Sequence, residues 1–270
     1  MLERGREFLP GDFPESAVQA SRETQVSGAH GRVGSATALF DVRVGDDIHV
    51  MMACGLGGTS LINANVCLAP DARVFDDAAW PAGVRRDGLL AEGFVRARHM
   101  LRPEVSRNTQ SYEKVRALRL AASAFDRPIS AIPLHVVYES GPNAAGVHQE
   151  ACKECGDCCG GCNVGAKTTV ASTYIADAAT FGAEVFTGVR VLAVSKDAQG
   201  GWRVWAMPTE GRQLARPQVF RHRRYRGARS RDARLDRDPA ALAGRGAGAV
   251  ALGREPVHVE RGCHRARLQQ

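Results

Sequence analysis

The sequence lacks three features that would place it in other protein classes. No apolar run approaches the length of a transmembrane helix, so no segment of the printed chain is predicted to span a membrane. A secretory signal peptide is not predicted either, because charged residues begin at Glu3. Residues 221–270 contain no lysine, although they hold 13 arginines.

The net positive charge of the chain comes from that last segment. Its arginines and five acidic residues give it a net charge of +8, which leaves −1 for residues 1–220 out of the total of +7. The main body therefore provides no electrostatic reason to expect nucleic acid or a membrane surface as a partner. An arginine-rich tail can bind nucleic acid, and it can equally remain disordered, because high charge prevents a stable core.

Cysteine is unevenly distributed. Five of the eight cysteines lie within residues 152–162, which is typical of a cofactor or redox motif rather than of a disulfide framework. The sequence therefore predicts a protein of a reducing compartment such as the cytoplasm.

The most informative run is residues 53–65, A-C-G-L-G-G-T-S-L-I-N-A-N, directly after the apolar, strand-like residues 48–52. Adjacent Gly57 and Gly58 permit positive φ and leave backbone N–H groups free to face an anion or a flat ring. Thr59 and Ser60 add hydroxyl groups and are good caps for a helix that begins there. The alternative is a glycine-rich turn that binds nothing.

The run resembles the first signature of the GMC (glucose–methanol–choline) flavoprotein oxidoreductases. The matching positions are Ala53, Cys54, Leu56, Gly57, Gly58, Thr59, Ser60, Ile62, Asn63, Pro70 and Asp76, whereas Cys67 departs from the pattern. The resemblance implies an α/β fold, an incomplete Rossmann-like FAD-binding domain with part of an α+β substrate domain. It also implies FAD as cofactor and an alcohol or sterol as substrate, oxidised at its CH–OH group. Gly57, Gly58, Thr59, Ser60, Asn63 and Asn65 would approach the flavin and pyrophosphate, and no catalytic residue is assigned within this chain.

Two further cofactor contacts are expected outside the run. Glu3, after two apolar residues, resembles the acidic residue that accepts hydrogen bonds from the adenosine ribose in Rossmann folds, the alternative being an ordinary exposed terminal residue. The glycine-rich turn would lie about thirty residues upstream of such a Glu, so we expect this chain alone not to retain FAD tightly. In similar proteins the valine at the position of Val191 meets the adenine through its backbone, although a core valine fits equally well.

The cysteine run allows three interpretations. Cys152, Cys155, Cys158 and Cys162 have the spacing of a ferredoxin [4Fe–4S] motif, with Asn163 replacing the usual proline and no partner cysteines of matching spacing. Four of the five thiolates in the run are also suitable zinc ligands. The third interpretation is an unmetallated loop, because a cholesterol-oxidase-like branch of the GMC family carries a similar C-x-x-C-G-x-C-x-x-G-C-N-x-G-A-K run.

The remaining pattern suggests how the chain is divided. We expect part of the FAD domain in residues 1–80, part of the substrate region with two helices in 81–150, and the cysteine loop, a helix over 169–181 and a strand hairpin in 151–220. Residues 221–270 are expected to be a disordered tail. The sequence leaves two alternative functions open. The chain could be an iron–sulfur electron-transfer module, or a basic interaction protein that acts through this tail.

The tail also predicts a reading-frame change near codon 223. Shifted by one base, residues 223–234 can encode A-D-I-V-V-L-G-A-G-T-L-G, the buried strand and glycine turn that the family places next. We expect resequencing of codons 219–223 to show this frame. Stop codons in the other frame would mean that the arginine-rich tail is genuine.

Overall fold

The computed structural model describes residues 1–81, 83–84, 88–196, 201–210, 218–222 and 264–265. It is a mixed α/β structure whose sheets are small. The α-helices are α1 (Ala17–Arg22), α2 (Leu89–Leu101), α3 (Glu113–Ala124) and α4 (Ala176–Thr180). The strands are β1 (Thr24–Gly28), β2 (Gly31–Val33), β3 (Phe40–Arg43), β4 (Val50–Ala53), β5 (Gly141–Pro142), β6 (His148–Gln149), β7 (Phe186–Thr187), β8 (Val189–Lys196), β9 (Trp202–Pro208), β10 (Gln218–His222) and β11 (His264–Arg265).

The largest sheet lies directly before the glycine-rich run. Its strand order is β2-β1-β3-β4, with β1 parallel to β3 and the other two pairs antiparallel. Inside it, the buried Asp41 carboxylate accepts a hydrogen bond from Arg4 Nη2 at 2.8 Å, and Gln25 Nε2 donates to Ala38 O at 2.7 Å. The Arg4 bond attaches the N-terminal segment to the sheet that leads to residue 53, and the Gln25 bond ties β1 to the segment before β3.

A second sheet follows the cysteine run. β8 and β9 form the predicted antiparallel hairpin, β10 pairs with β9, and a register shift separates Val191 from Ala193. β7 carries the N-terminal segment, because Glu3 N donates to Phe186 O at 2.9 Å and Phe186 N donates to Met1 O at 3.0 Å. The first residues of the chain are thus held beside the start of this hairpin.

The core beneath the glycine-rich run consists of Phe8, Phe13, Leu39, Leu61 and Ile62. The Phe8 and Phe13 rings stack with centroids 5.4 Å apart. The core therefore joins the N-terminal segment, through Phe8 and Phe13, to the residues before the run and within it.

The two helices expected in residues 81–150 are confirmed as α2 and α3, neither of which buries a side chain. The helix expected over 169–181 differs in detail, because a π-helical turn (Ala171–Ile175) leads into the short α4. No described helix is long and apolar enough to cross a membrane. Of the tail, only residues 221–222 in β10 and β11, which pairs with β7, are described, and residues 223–263 and 266–270 lie outside the described residues.

Asn163 joins the cysteine run to the N-terminal segment. Its Oδ1 accepts hydrogen bonds from Gly11 N at 2.8 Å and Phe13 N at 3.0 Å. Its Nδ2 donates to Phe13 O at 3.0 Å and to the Glu15 carboxylate at 3.1 Å. A proline here would offer none of these four bonds, which gives the asparagine a structural reason.

We predict that Asn163→Ala lowers the free energy of unfolding by about 2 kcal/mol, because four hydrogen bonds, two of them partly buried, are lost together. Urea denaturation monitored by circular dichroism measures this. The control is Asn108→Ala, whose side chain makes an exposed bond to Glu154 and whose loss should change stability by under about 0.5 kcal/mol. Equal effects of the two substitutions would contradict the role given to Asn163.

Candidate functional site

The glycine-rich run forms a tight turn at the end of β4. Gly57 and Gly58 have φ of 106° and 58°, a region that favours glycine, and a single 3₁₀ turn (Gly58–Leu61) follows. A Cβ on Gly57 would lie 3.1 Å from the Ala171 Cβ, so this glycine permits close packing on the π-helical turn. A Cβ on Gly58 would meet no atom within 4 Å, so Gly58 borders open space where a ligand can approach.

The hydroxyl groups of the run have structural partners. Ser60 Oγ donates to Gly57 O at 2.7 Å and accepts from Val170 N at 2.9 Å. Thr59 Oγ1 accepts a long bond of 3.4 Å from Ala53 N. The expectation that Thr59 or Ser60 caps a helix is wrong, because both lie within the 3₁₀ turn and Gly57 precedes it without a side-chain bond.

Asn63 and Asn65 end the run in different environments. Asn63 Oδ1 accepts from Asn65 N at 3.4 Å, and Asn63 is partly exposed. Asn65 is fully buried with φ of 64°, and neither polar atom of its amide has a hydrogen-bond partner in the described part of the chain. Buried amides normally have partners, so Asn65 marks a polar site that the protein residues described here do not complete.

His135 lies directly opposite Asn65. Its N–H donates to Asn65 O at 2.8 Å, next to the antiparallel bridge between Val66 and Leu134. The backbone of His135 is therefore paired with that of Asn65. Burial lowers the pKa of His135, and the Lys167 charge lowers it further. Its buried Nε2 also has no partner among the described residues.

Lys167 is the site residue that the residue-by-residue interpretation missed. It is 4% exposed, and its Nζ donates to Asn63 O at 2.7 Å, Cys158 O at 2.8 Å and Leu61 O at 2.9 Å. Burial lowers its pKa to about 8. In the sequence, Lys167 is the last residue of the G-A-K ending of the cysteine run. That ending matches the family motif, but the motif alone predicted no function for the lysine.

The residues predicted to contact the adenosine, Glu3 and Val191, lie near the start of the run. Glu3 is partly buried, its carboxylate accepts from Gly5 N at 2.7 Å, and burial raises its pKa. A Cβ on Gly5 would lie 2.5 Å from Gly55 N, so residues 3–5 pass directly against the start of the run. Val189 N donates to Glu3 O at 2.8 Å, which places β8 and its half-exposed Val191 next to Glu3.

The cysteines lie in a loop rather than around an evident metal position. Cys155 is exposed, Cys152, Cys158 and Cys162 are partly buried, and burial raises the pKa of the Cys152 and Cys158 thiols. Within the described ranges, no three His, Cys, Asp or Glu side chains are placed to hold a metal ion. The structure thus gives no support to a [4Fe–4S] cluster or a zinc ion on Cys152, Cys155, Cys158 and Cys162, and both stay sequence-based predictions.

A cavity of about 110 Å³ lies beneath the run. Its walls are mainly apolar and include Phe8, Phe13, Leu61 and Ala171, with Gln149 among the polar residues. None of the residues predicted to touch FAD lines it. The cavity is therefore separate from the open space beside Gly58.

We predict that His135 makes the fold sensitive to acid. Its folded pKa is below 6.5, so below pH 6.5 the unfolded chain binds a proton that the folded protein takes up only at lower pH. The free energy of unfolding should therefore fall more steeply from pH 7 to pH 5 in the wild type than in His135→Gln. Urea titrations across this range measure the difference. Replacement of the exposed His30 by Gln is the control, and identical slopes for His135→Gln and wild type would contradict the assignment.

The similarity to known proteins covers the part of the chain that holds most of this site. A profile of the family described as GMC oxidoreductase matches residues 28–201, more than half of the sequence. Cholesterol oxidases from two Mycobacterium tuberculosis strains, CDC 1551 / Oshkosh and ATCC 25618 / H37Rv, are each 26% identical over 178 residues. The match covers 60% of this chain and 30% of each relative, so the chain spans about a third of their length. The profile includes the glycine turn, the two asparagines, His135 and Lys167, and the chain belongs to the GMC oxidoreductase family.

Proposed function

We propose that this chain carries the flavin-facing part of an FAD-dependent oxidoreductase acting on an alcohol CH–OH group. The observation that supports this most is Gly58, a positive-φ glycine that borders open space at the centre of the family's glycine motif. The orphaned amide of Asn65 fits the same cofactor, because a flavin ring edge offers both hydrogen-bond donors and acceptors. The residues present therefore fit FAD.

The protein's contribution is to bind and orient. Gly57, Gly58, Thr59, Ser60, Asn63 and Asn65 would hold the flavin and pyrophosphate side, while Glu3 and the backbone of Val191 would hold the adenosine side. When bound, FAD supplies the hydride acceptor that alcohol oxidation needs. The close approach of Gly5 to Gly55 supports a single FAD site that includes both groups of residues.

The layout supports a partial Rossmann-like FAD domain. The parallel pair β1–β3 and the parallel bridge between Leu2 and Phe186 are the parallel elements of the described residues. The substrate class is a sterol or another alcohol, in keeping with the cholesterol oxidases that this chain is similar to. We assign no catalytic residue within these 270 residues.

The two other functions have less support. No described residues form a metal-binding group that favours an iron–sulfur module. The arginine-rich segment on which a basic interaction protein depends lies almost wholly outside the described residues.

We expect Gly58→Ala to weaken FAD binding about tenfold, because the new methyl group occupies the open space and strains a positive φ. Flavin fluorescence during titration of the full chain with FAD measures the dissociation constant. The matched control is Gly182→Ala, at another positive-φ glycine with open space, φ 84°, in the turn after α4. It introduces similar backbone strain away from the run and should leave FAD affinity unchanged. Equal weakening by both substitutions, or no FAD binding by the wild type, would contradict the proposal.

A further inference from the structure

Lys167 is a buried cation that has no counter-ion among the described residues. It forms no salt bridge with any carboxylate in the described part of the chain, and its ammonium group is satisfied by three backbone carbonyls alone. Removing a charge from water costs several kcal/mol unless compensated. A neutral residue would avoid that cost, so the position of the charge needs an explanation.

The three carbonyls belong to two loops. Leu61 and Asn63 are in the glycine-rich run, and Cys158 is in the cysteine loop, nine positions before the lysine. Lys167 itself is fixed by an antiparallel bridge to Val136. The ammonium group thus connects the end of the glycine-rich run to the cysteine loop, while the backbone of Lys167 is paired with the segment that carries His135.

This arrangement fixes the direction of one peptide group. In a trans peptide the C=O and the N–H of the next residue point in opposite directions, and the described chain has no cis peptide bond. Because Asn63 O points at Lys167 Nζ, the N–H of Ala64 points away from the lysine. Ala64 is exposed, and its N–H has no acceptor among the described residues. The N–H of Ile62, which follows the other carbonyl of the run bound by the lysine, by contrast donates to Thr59 O at 3.1 Å.

We propose that Lys167 is a positioning residue that turns the Ala64 N–H outward as a cation-backed donor for the negatively charged edge of a reduced flavin. The inference rests on the proposed FAD function and adds a role that the glycine motif does not contain. The Ala64 N–H belongs to the same peptide group as the Asn63 carbonyl, which accepts a hydrogen bond from the ammonium group. This N–H is therefore more strongly polarised than that of an isolated amide. It therefore favours an anionic ring over a neutral one.

The variant that tests the charge is Lys167→Met, which keeps the length of the side chain and removes the ammonium group. The matched control is Lys153→Met, an exposed lysine in the same cysteine-rich segment. Lys167→Arg retains the cation, and Lys167→Gln retains a neutral donor. If circular dichroism shows that Lys167→Met does not fold, the Arg and Gln variants are compared instead.

The first measurement tests positioning in the ligand-free full chain. Hydrogen exchange at the N–H groups of Ile62, Asn63 and His135 should become about tenfold faster in Lys167→Met, because the run is no longer held at two carbonyls. Lys153→Met should leave these rates unchanged. Wild-type exchange rates in Lys167→Met would overturn the positioning role.

The second measurement compares the affinity of the full chain for oxidised FAD and for dithionite-reduced FAD. Lys167→Met should lose about tenfold of the preference for the reduced form, which corresponds to about 30 mV for a two-electron couple. Lys167→Arg should keep more of the preference than Lys167→Gln, which a purely structural role would not produce. An unchanged affinity ratio in Lys167→Met overturns the charge role. If neither form of FAD binds the wild type, the proposed function fails and the charge role with it, while the exchange rates still decide the positioning role.

Discussion

The buried ammonium group of Lys167 is the interaction on which the arrangement of the site depends. Three carbonyl oxygens at 2.7 to 2.9 Å accept its hydrogen bonds. Those of Leu61 and Asn63 lie about a hundred residues before Lys167 in the sequence, and that of Cys158 belongs to the loop that carries the lysine. Because the group has no carboxylate partner among the described residues, it is satisfied only while the glycine-rich run and the cysteine loop keep their positions. A neutral side chain of the same length would fill the space without fixing the backbone.

Elsewhere in the described chain, other polar side chains also hold loops in place through hydrogen bonds to backbone groups. Asn163 holds Gly11 and Phe13 in this way. Asn143 donates to Ser172 O at 2.8 Å and accepts from Val147 N at 3.1 Å. Such contacts place loops accurately without regular secondary structure, which suits a site made of turns.

The sequence predicted the local elements where a period was long enough to be read. The two helices expected in residues 81–150 are α2 and α3, and the strand hairpin expected in residues 151–220 is the β8–β9 pair. The sequence also placed the glycine turn after a strand, which the structure has as β4. The helix expected at Thr59 and Ser60 is a single 3₁₀ turn, because Ser60 Oγ bonds to Gly57 O and Val170 N.

What the sequence could not supply were contacts between distant segments. Nothing in the spacing of the cysteine run shows that Lys167 reaches Asn63, or that His135 lies opposite Asn65. Those pairings depend on which loops meet, and loop packing has no periodic signature. The family motif pointed to the correct stretch of chain, while the structure supplied the partners within it.

The central claim, that the turn around Gly58 is where this chain meets FAD, is tested most directly by mapping amide chemical shifts in the full chain during titration with FAD. We expect the largest changes at residues 57–65, with smaller ones at residues 3–5 and at the start of β8. Changes confined to the cysteine loop, or spread evenly over the chain, would contradict this account of the site.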